Sequence, residues 1–253
     1  MNEFDIQSLP GFAQPLSSWS HLIASGGFAL LAIPLMHRAV RGSSQPGSAG
    51  PCARVVGVGV FCASVVTLLA ISGVYHSLDF NSPGRSLLLL IDYAAIYILI
   101  AGTFTPICSI LLRGLWRTGT LCLVWAIAIT GITLKLVLFT QMTSWVGTMI
   151  YLGLGCCGLF GAALAWRRFG AAFVEPLLLG GAAYIAGTAV QLAQRPTIIS
   201  GILGPHEIFH LAVLLGISFH WKFIAQFADG HLPLKANQQL ADRLVEKDPV
   251  ATS

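Results

Sequence analysis

The chain is 253 residues long, and its composition is unlike that of a protein folded in water. Hydrophobic residues make up 55% of the sequence and charged residues only 9%, whereas soluble globular proteins carry roughly 25% charged residues. Because so few charged residues cannot cover a surface that faces water, lipid must solvate much of the chain. The net charge of +4 is scattered, and without a run of Lys or Arg it argues against nucleic-acid binding.

Seven apolar stretches are long enough to span a bilayer, since a spanning helix needs roughly twenty predominantly apolar residues. These stretches lie near residues 20–38, 54–77, 86–111, 118–138, 145–166, 177–194 and 206–227. The sequence therefore predicts an all-α, polytopic membrane protein whose transmembrane domain, residues 20–227, is a bundle of helices. Residues 1–19 are predicted to be a short N-terminal segment, and residues 228–253 a polar, mobile C-terminal tail.

Basic residues are distributed unequally between the two sides of the predicted bundle. The loops after the first, third and fifth stretches contain most of them: Arg38, Arg41, Arg54, Arg113, Arg117, Arg167 and Arg168. The other loops contain Arg85 and Arg195, while the tail adds Lys235, Arg243 and Lys247 to the first side. By the positive-inside rule, we expect a multi-pass protein of the cell membrane with its N-terminus outside and its C-terminus in the cytoplasm.

Polar residues inside the apolar stretches indicate function, because an ionisable group there costs about 3 kcal/mol or more unless it is paired or solvated. Ser72 and His76 lie one helical turn apart near the end of the second stretch. His206 and His210 have the same spacing at the start of the seventh, and Asp92 lies about two turns into the third. Since successive helices alternate in direction, all of these positions fall on the membrane side of the N-terminus.

Three histidines at one depth predict a metal site between the second, third and seventh helices. Three neutral imidazoles with an open fourth position form the ligand set of a catalytic zinc site. We therefore predict zinc bound by His76, His206 and His210. Asp92 is then expected to orient the ligands or to act as a base on water at the open position.

The remaining ionisable groups have simpler interpretations. His21, His37 and His220 are expected to be hydrogen-bonded packing residues. Lys135, near the end of the fourth stretch, is expected to extend its ammonium group to the membrane interface.

The segment from His206 to His210 also matches the His-Glu-x-x-His pattern of zinc proteases, in which Glu207 would be the general base. A membrane-embedded protease would need a later third ligand. After His210 the sequence offers only Asp229 near a helix end, so a protease is the second-ranked interpretation.

Four segments carry a resemblance to a known family: Ser72-Gly-Val-Tyr-His76-Ser, Asp92-Tyr-Ala-Ala-Ile96, Ile100-Ala-Gly-Thr-Phe-Thr-Pro106 and His206-x-x-x-His210. In this order they resemble the hemolysin III family, the bacterial branch of the progestin and adipoQ receptors, which include the adiponectin receptors. The likeness extends from about Ser20 to Trp221. Tyr93 stands where the family often has His, and Pro15-Leu-Ser-Ser18 stands where acidic and Asn residues are usual.

The resemblance implies a seven-helix fold with zinc bound by His76, His206 and His210. It also implies that Asp92 hydrogen-bonds the metal-bound water and that Ser72 lines the same cavity. Adiponectin receptors and the related alkaline ceramidases are associated with hydrolysis of the ceramide amide, whereas bacterial members were named for a cytolytic, pore-forming activity. Adiponectin receptors have a cytoplasmic N-terminus, so the orientation predicted from the arginines is the opposite of theirs.

Three functions are therefore open. The first is a ceramidase-like hydrolase of a membrane lipid amide or ester, in which a zinc-activated water attacks the substrate. Asp92 would accept or orient the proton, and Ser72 would donate a hydrogen bond to the developing oxyanion. The second is a non-enzymatic sensor or receptor in which zinc joins the second and seventh helices. The third is a pore-forming cytolysin, which would need oligomers because only the metal region is polar.

Overall fold

The computed structural model describes residues 12–43, 50–138 and 144–232. In these ranges the chain forms long helices: α1 (Pro15–Arg41), α2 (Pro51–Ser77), α3 (Arg85–Leu111), α4 (Gly114–Val137), α5 (Ser144–Phe169), α6 (Ala171–Ala193) and α7 (Pro205–Ala225). All 7 are long and apolar enough to cross a membrane, by length and composition. The predicted all-α fold with seven transmembrane helices is confirmed.

Three of the helices begin at a proline, namely Pro15, Pro51 and Pro205. Proline suits the first turn of a helix because its φ is already helical and its missing N–H would have had no partner there. α1 therefore begins earlier than the apolar stretch predicted from residue 20. Its first turn contains Ser17 and Ser18, which are buried against other helices but are too polar to be included in an apolar stretch.

Neighbouring helices in the chain pack side by side, with α1 against α2, α2 against α3 and α6 against α7. α7 also contacts α1 and α3, while α4 and α5 pack on α3. The main hydrophobic core lies between α1, α2, α3 and α7, together with the end of α5 and the start of α6, and its members include Phe28, Phe61, Leu69, Leu99, Phe173, Trp221 and Phe223.

The first turns of α1 are held tightly against the last turn of α2. A Cβ atom added to Gly73 would lie 2.7 Å from Cγ of Leu22, so only glycine permits this approach. The Ser18 hydroxyl donates a 2.8 Å hydrogen bond to the carbonyl of Gly73. Small residues at a helix crossing allow such close backbone contact in membranes, and here they fix the start of α1 beside the end of α2.

At the opposite end of the bundle, the guanidinium of Arg54 is buried against the end of α1. It donates hydrogen bonds to three carbonyl groups, those of Ala39 at 2.9 Å, Gly42 at 2.5 Å and Ser43 at 2.9 Å. The last carbonyls of a helix have no partner within the helix, so Arg54 satisfies groups that would otherwise be left unpaired.

The beginning of the predicted tail packs against this same end. Ala228 is buried, and Arg38 forms a 2.8 Å ion pair with Asp229. Burial alone would raise the pKa of Asp229, but the hydrogen bonds and charges of Arg38 and His231 outweigh it and hold this pKa below its usual value. The rest of the tail, residues 233–253, lies outside the described residues, as do residues 1–11.

Candidate metal centre

Three histidines meet between α2 and α7. His76 lies in the last turn of α2, whereas His206 and His210 lie in the first turns of α7. Their ligand atoms all lie within 4.8 Å of one another, and His76 and His210 are only 2% and 4% exposed. The structure therefore brings together the three side chains that were predicted as metal ligands.

The end of α2 is fixed next to His76 by Arg85, the first residue of α3. The Arg85 guanidinium donates hydrogen bonds to the carbonyls of Tyr75, at 3.3 Å, and Leu78. It also lies over the Tyr75 ring, 4.6 Å from the ring centroid. Because these carbonyls belong to the end of the helix, Arg85 acts as a C-terminal cap and holds His76 in place.

The donor set of this cluster fits a zinc ion. Zinc binds imidazole nitrogen at about 2.0–2.1 Å in a tetrahedral arrangement, which separates two ligand nitrogens by about 3.3 Å. The Nε2 atoms of His206 and His210 are 3.1 Å apart. A cation between them would satisfy the lone pairs of both neutral rings, and the three imidazoles would leave a fourth position open.

Two side chains at or just before the start of α1 contact the candidate ligands. Gln14, directly before α1, is hydrogen-bonded through Oε1 to Nδ1 of His76. Nε2 of His21 lies 3.0 Å from Nδ1 of His210. His21 was expected to be a hydrogen-bonded packing residue, and it is buried and hydrogen-bonded, but its partner is a candidate ligand.

Asp92 and Ser72 lie on the wall of the cavity that the three histidines line. The Ser72 hydroxyl donates a hydrogen bond to the Asp92 carboxylate. The Oδ1 atom of this carboxylate is buried and has no hydrogen-bond partner of ordinary geometry among the residues that the structure describes. α3 thus contributes a carboxylate to the cavity, while the ligand cluster itself comes from α2 and α7.

This hydrogen bond bears on the role expected for Ser72. A serine hydroxyl has one proton to donate, and in this arrangement Asp92 accepts it. In this contact Ser72 orients the carboxylate of Asp92, and its expected role as a donor to a developing oxyanion stays a prediction.

Glu207 is engaged in a structural role at the start of α7. The backbone N–H of Gly204 donates a 3.1 Å hydrogen bond to its Oε2, and the Ser17 hydroxyl donates to its Oε1 at 3.4 Å. The side chain is only 1% exposed. Since both oxygens cap or bridge helices, this geometry argues against Glu207 as the base of a His-Glu-x-x-His protease.

The remaining ionisable residues can be compared with the roles predicted for them from the sequence. Lys135 lies in the last turn of α4 and is 5% exposed. Its Nζ lies 4.1 Å from the centroid of the Tyr93 ring, and an aromatic face can bind a cation in this way; its expected reach to the membrane interface stays a prediction. His220 is a hydrogen-bonded packing residue, with Nε2 3.3 Å from the carbonyl oxygen of Leu177. His37 is exposed on α1 and so is not a packing residue.

The histidines open onto a cavity of about 1300 Å³. From the metal end it follows α3, α5 and α6 through the bundle and reaches Arg113 and Arg168 at the other end. Between these ends the lining is mostly apolar and includes Leu99, Phe104, Leu152, Ala162, Leu178 and Ile185. Such a cavity is suited to a long apolar ligand that meets polar groups at its ends.

Comparison with known proteins identifies the family of the chain. The family model described as "Haemolysin-III related" matches residues 13–221. The chain is 29% identical over 197 residues to "Hemolysin-3 homolog" of Bacillus subtilis (strain 168), covering 78% of this chain and 87% of that protein. It is also 29% identical over 197 residues to "Hemolysin-3" of Bacillus cereus, covering 78% and 85%. The chain belongs to the haemolysin-III-related family of multi-pass integral membrane proteins.

Proposed function

We propose that the protein is a zinc-dependent membrane hydrolase that acts on a lipid amide or ester. The observation that carries this proposal is the opening of the three-histidine cluster onto a large apolar cavity, which Asp92 also lines with an oxygen that has no partner in the described part of the chain. Candidate ligands, a carboxylate and space for an apolar chain occur together, which a purely structural metal site would not require.

His76, His206 and His210 would hold a zinc ion, which would act as a Lewis acid to acidify water and polarise a carbonyl group. Asp92 accepts the proton of the attacking water at Oδ1 and returns it to the leaving amine or alkoxide. Ser72 orients that carboxylate through its hydrogen bond. The three ligand histidines stay neutral throughout because each needs a free lone pair to bind the metal.

The substrate is proposed to be a membrane lipid with a long acyl chain. The apolar middle of the cavity would accommodate the chain, and the histidines at one end would meet the polar amide or ester. Gln191 and Gln194 also line this cavity, and they offer hydrogen-bonding groups for the polar part of the lipid.

The test is turnover of defined lipids by purified, zinc-loaded protein in detergent or nanodiscs. A ceramide-like amide and a matched ester of the same chain length are compared, and the released fatty acid is quantified. The His206→Ala/His210→Ala double variant should release none. If zinc-loaded wild-type protein hydrolyses neither lipid, and Asp92→Asn leaves any cellular phenotype intact, the catalytic proposal is wrong.

The alternative is a non-enzymatic sensor or receptor in which zinc joins two helices. It is favoured by one observation: α7 packs most extensively on α6, whereas the ligands would connect α7 to α2. A metal there would connect the last helix of the chain to the second. In that case His76→Ala should strongly lower thermal stability, while Asp92→Asn should have little effect.

A cytolytic function is suggested by the name "Hemolysin-3" of the Bacillus cereus relative. The mostly apolar cavity lining does not suit a water-filled pore within one chain, so a pore would have to form between several copies. Leakage of dye from liposomes that persists after His76, His206 and His210 are all replaced would favour this function over both metal-based ones.

A further inference from the structure

We infer that Gln14 and His21 are positioning residues that set the tautomers of two metal ligands, His76 and His210. The inference rests on the metal binding of the proposed function and not on hydrolysis. It starts from two contacts: Gln14 Oε1 with His76 Nδ1, and His21 Nε2 with His210 Nδ1, the latter at 3.0 Å.

A neutral imidazole carries one proton, so it can bind a metal through only one nitrogen and has an N–H at the other. An amide oxygen only accepts hydrogen bonds. Because Oε1 of Gln14 contacts Nδ1 of His76, the proton of His76 must lie on Nδ1. Its Nε2 is then left with a lone pair for a metal ion.

The orientation of the Gln14 amide is therefore coupled to metal binding. If the amide were turned around, its NH₂ group would donate to Nδ1, and the proton of His76 would move to Nε2 and block the ligand position. The Gln14 side chain has little freedom to leave this contact, since it is 1% exposed. Its backbone N–H also donates a 3.0 Å hydrogen bond to the carbonyl of His76.

The second contact determines the proton position of His210. Its Nε2 lies 3.1 Å from Nε2 of His206 and so faces the ligand cluster. The proton must consequently be on Nδ1, which donates to Nε2 of His21. His21 then carries its own proton on Nδ1, an atom that is buried and has no partner in the described part of the chain.

Hydrogen bonds to α2 and α7 fix the start of α1, and they thereby hold both positioning side chains in place. The backbone N–H of Ala13 donates to the carbonyl of Ser77 at 3.3 Å, and Ser18 is hydrogen-bonded to Gly73. Ser17 reaches across to Glu207 on α7. A ligand shell supported by fixed neighbours keeps its geometry before the metal arrives, and loss of such neighbours typically weakens metal affinity about 10–100-fold.

The test uses two pairs of variants in the full-length protein. Gln14→Met and His21→Leu keep the approximate side-chain size but remove the acceptor. Gln14→Glu and His21→Gln retain an oxygen acceptor at about the same reach. Zinc affinity is measured by chelator competition, the ligand field by the visible spectrum of the cobalt-substituted protein, and stability by the thermal midpoint of the metal-free protein.

We expect Gln14→Met and His21→Leu each to weaken zinc affinity by about 10–100-fold and to alter the cobalt spectrum. Gln14→Glu and His21→Gln should retain most of the wild-type affinity. Wild-type affinity in both acceptor-free variants would overturn the inference. Equal losses in all four variants that follow the stability of the metal-free protein would also overturn it, because they would indicate a packing role.

Failure of this inference can be distinguished from failure of the proposed function. Wild-type protein that binds zinc but hydrolyses no lipid contradicts the hydrolase alone, and the affinity comparison still decides the roles of Gln14 and His21. Wild-type protein that binds no zinc overturns the inference together with the metal centre.

Discussion

Ser72 on α2 donates a hydrogen bond to Asp92 on α3, and the Oδ1 atom of that carboxylate is left buried without a partner among the described residues. The serine contact therefore orients a carboxylate that lines the same cavity as the three histidines. The arrangement joins two adjacent helices at the point where the cavity begins, and it makes the two residues a coupled pair.

Replacing Asp92 with Asn should abolish most hydrolysis while zinc stays bound. An amide cannot accept the proton of water, and a general base typically contributes about 10²–10⁴-fold to rate. Ser72→Ala should cause a smaller loss, because the carboxylate remains but is less well oriented. Initial rates and zinc content of both variants are compared with those of Thr103→Val, a cavity residue whose hydroxyl bonds to the Leu99 carbonyl at 2.8 Å. Full activity in Asp92→Asn would exclude Asp92 as the base.

Removing the metal should lower the thermal midpoint of the wild-type protein. A ligand that binds only the folded state stabilises it by about 2.7 kcal/mol at a hundred times its dissociation constant. The His206→Ala/His210→Ala variant should contain no metal by elemental analysis and should not respond to a chelator. His220→Gln, which alters a histidine elsewhere on α7, serves as the control and should keep both properties. Equal metal content in wild type and double variant would contradict the site.

Glu207→Gln should retain zinc and at least a tenth of the wild-type activity. Glutamine can still accept the hydrogen bond from Gly204 through its amide oxygen, so the start of α7 should be preserved. A zinc protease base could not be replaced in this way without loss of about 10²-fold or more. Hydrolysis rates on lipid substrates, measured in parallel with rates on peptide substrates, would distinguish a structural role of Glu207 from a role as the base of a protease. Complete inactivity of a zinc-loaded Glu207→Gln protein would restore Glu207 as a candidate base.

The ion pair between Arg38 and Asp229 should make stability depend on pH in acid. The pKa of Asp229 is held below its usual value of 3.8 in the folded protein. A carboxyl group of this kind stabilises the fold above its unfolded-state pKa, and the stabilisation is lost as pH falls through the lower folded-state pKa. The thermal midpoint of Asp229→Asn should thus be lower than wild type near neutrality and should converge with it below pH 3.8. Asp79→Asn, at an exposed position outside α2, is the control. If the thermal midpoint of the wild-type protein stayed above that of Asp229→Asn in strong acid, the result would contradict the ion pair.

The N-terminus is predicted to lie outside the cell and the C-terminus in the cytoplasm. Arg54 and Arg85 are both buried, but they belong to opposite sides, so the excess of basic residues at the ends of α1, α3 and α5 persists without them. In a background lacking the 6 native cysteines, Ile198→Cys should react with an impermeant maleimide added to intact cells. Leu115→Cys, also exposed, should react only after lysis. The reverse labelling pattern would invert the predicted orientation.

The membrane-spanning helices and the candidate ligands could be predicted from the sequence because both follow from residue patterns within or between successive helices. The four-residue spacing of His206 and His210 fixes their common helix face, and alternation of helix direction places His76 and Asp92 at the same depth. The same alternation could have assigned His21 to the metal end, since it lies in the first turns of α1. Gln14 gave no such signal, because it precedes the apolar stretch and its contact with His76 depends on how two helices cross. The burial of Lys135 was missed for the same reason: its partner, Tyr93, is on another helix.

The ligands and their supports are distributed over nearly the whole length of the chain. Gln14 and His21 are synthesised first, His76 soon afterwards, and His206 and His210 only with the last helix. During biosynthesis the three-histidine cluster therefore cannot form while the earlier helices enter the membrane. The three-histidine cluster is complete only when the final helix lies beside the second, so an incomplete chain lacks it.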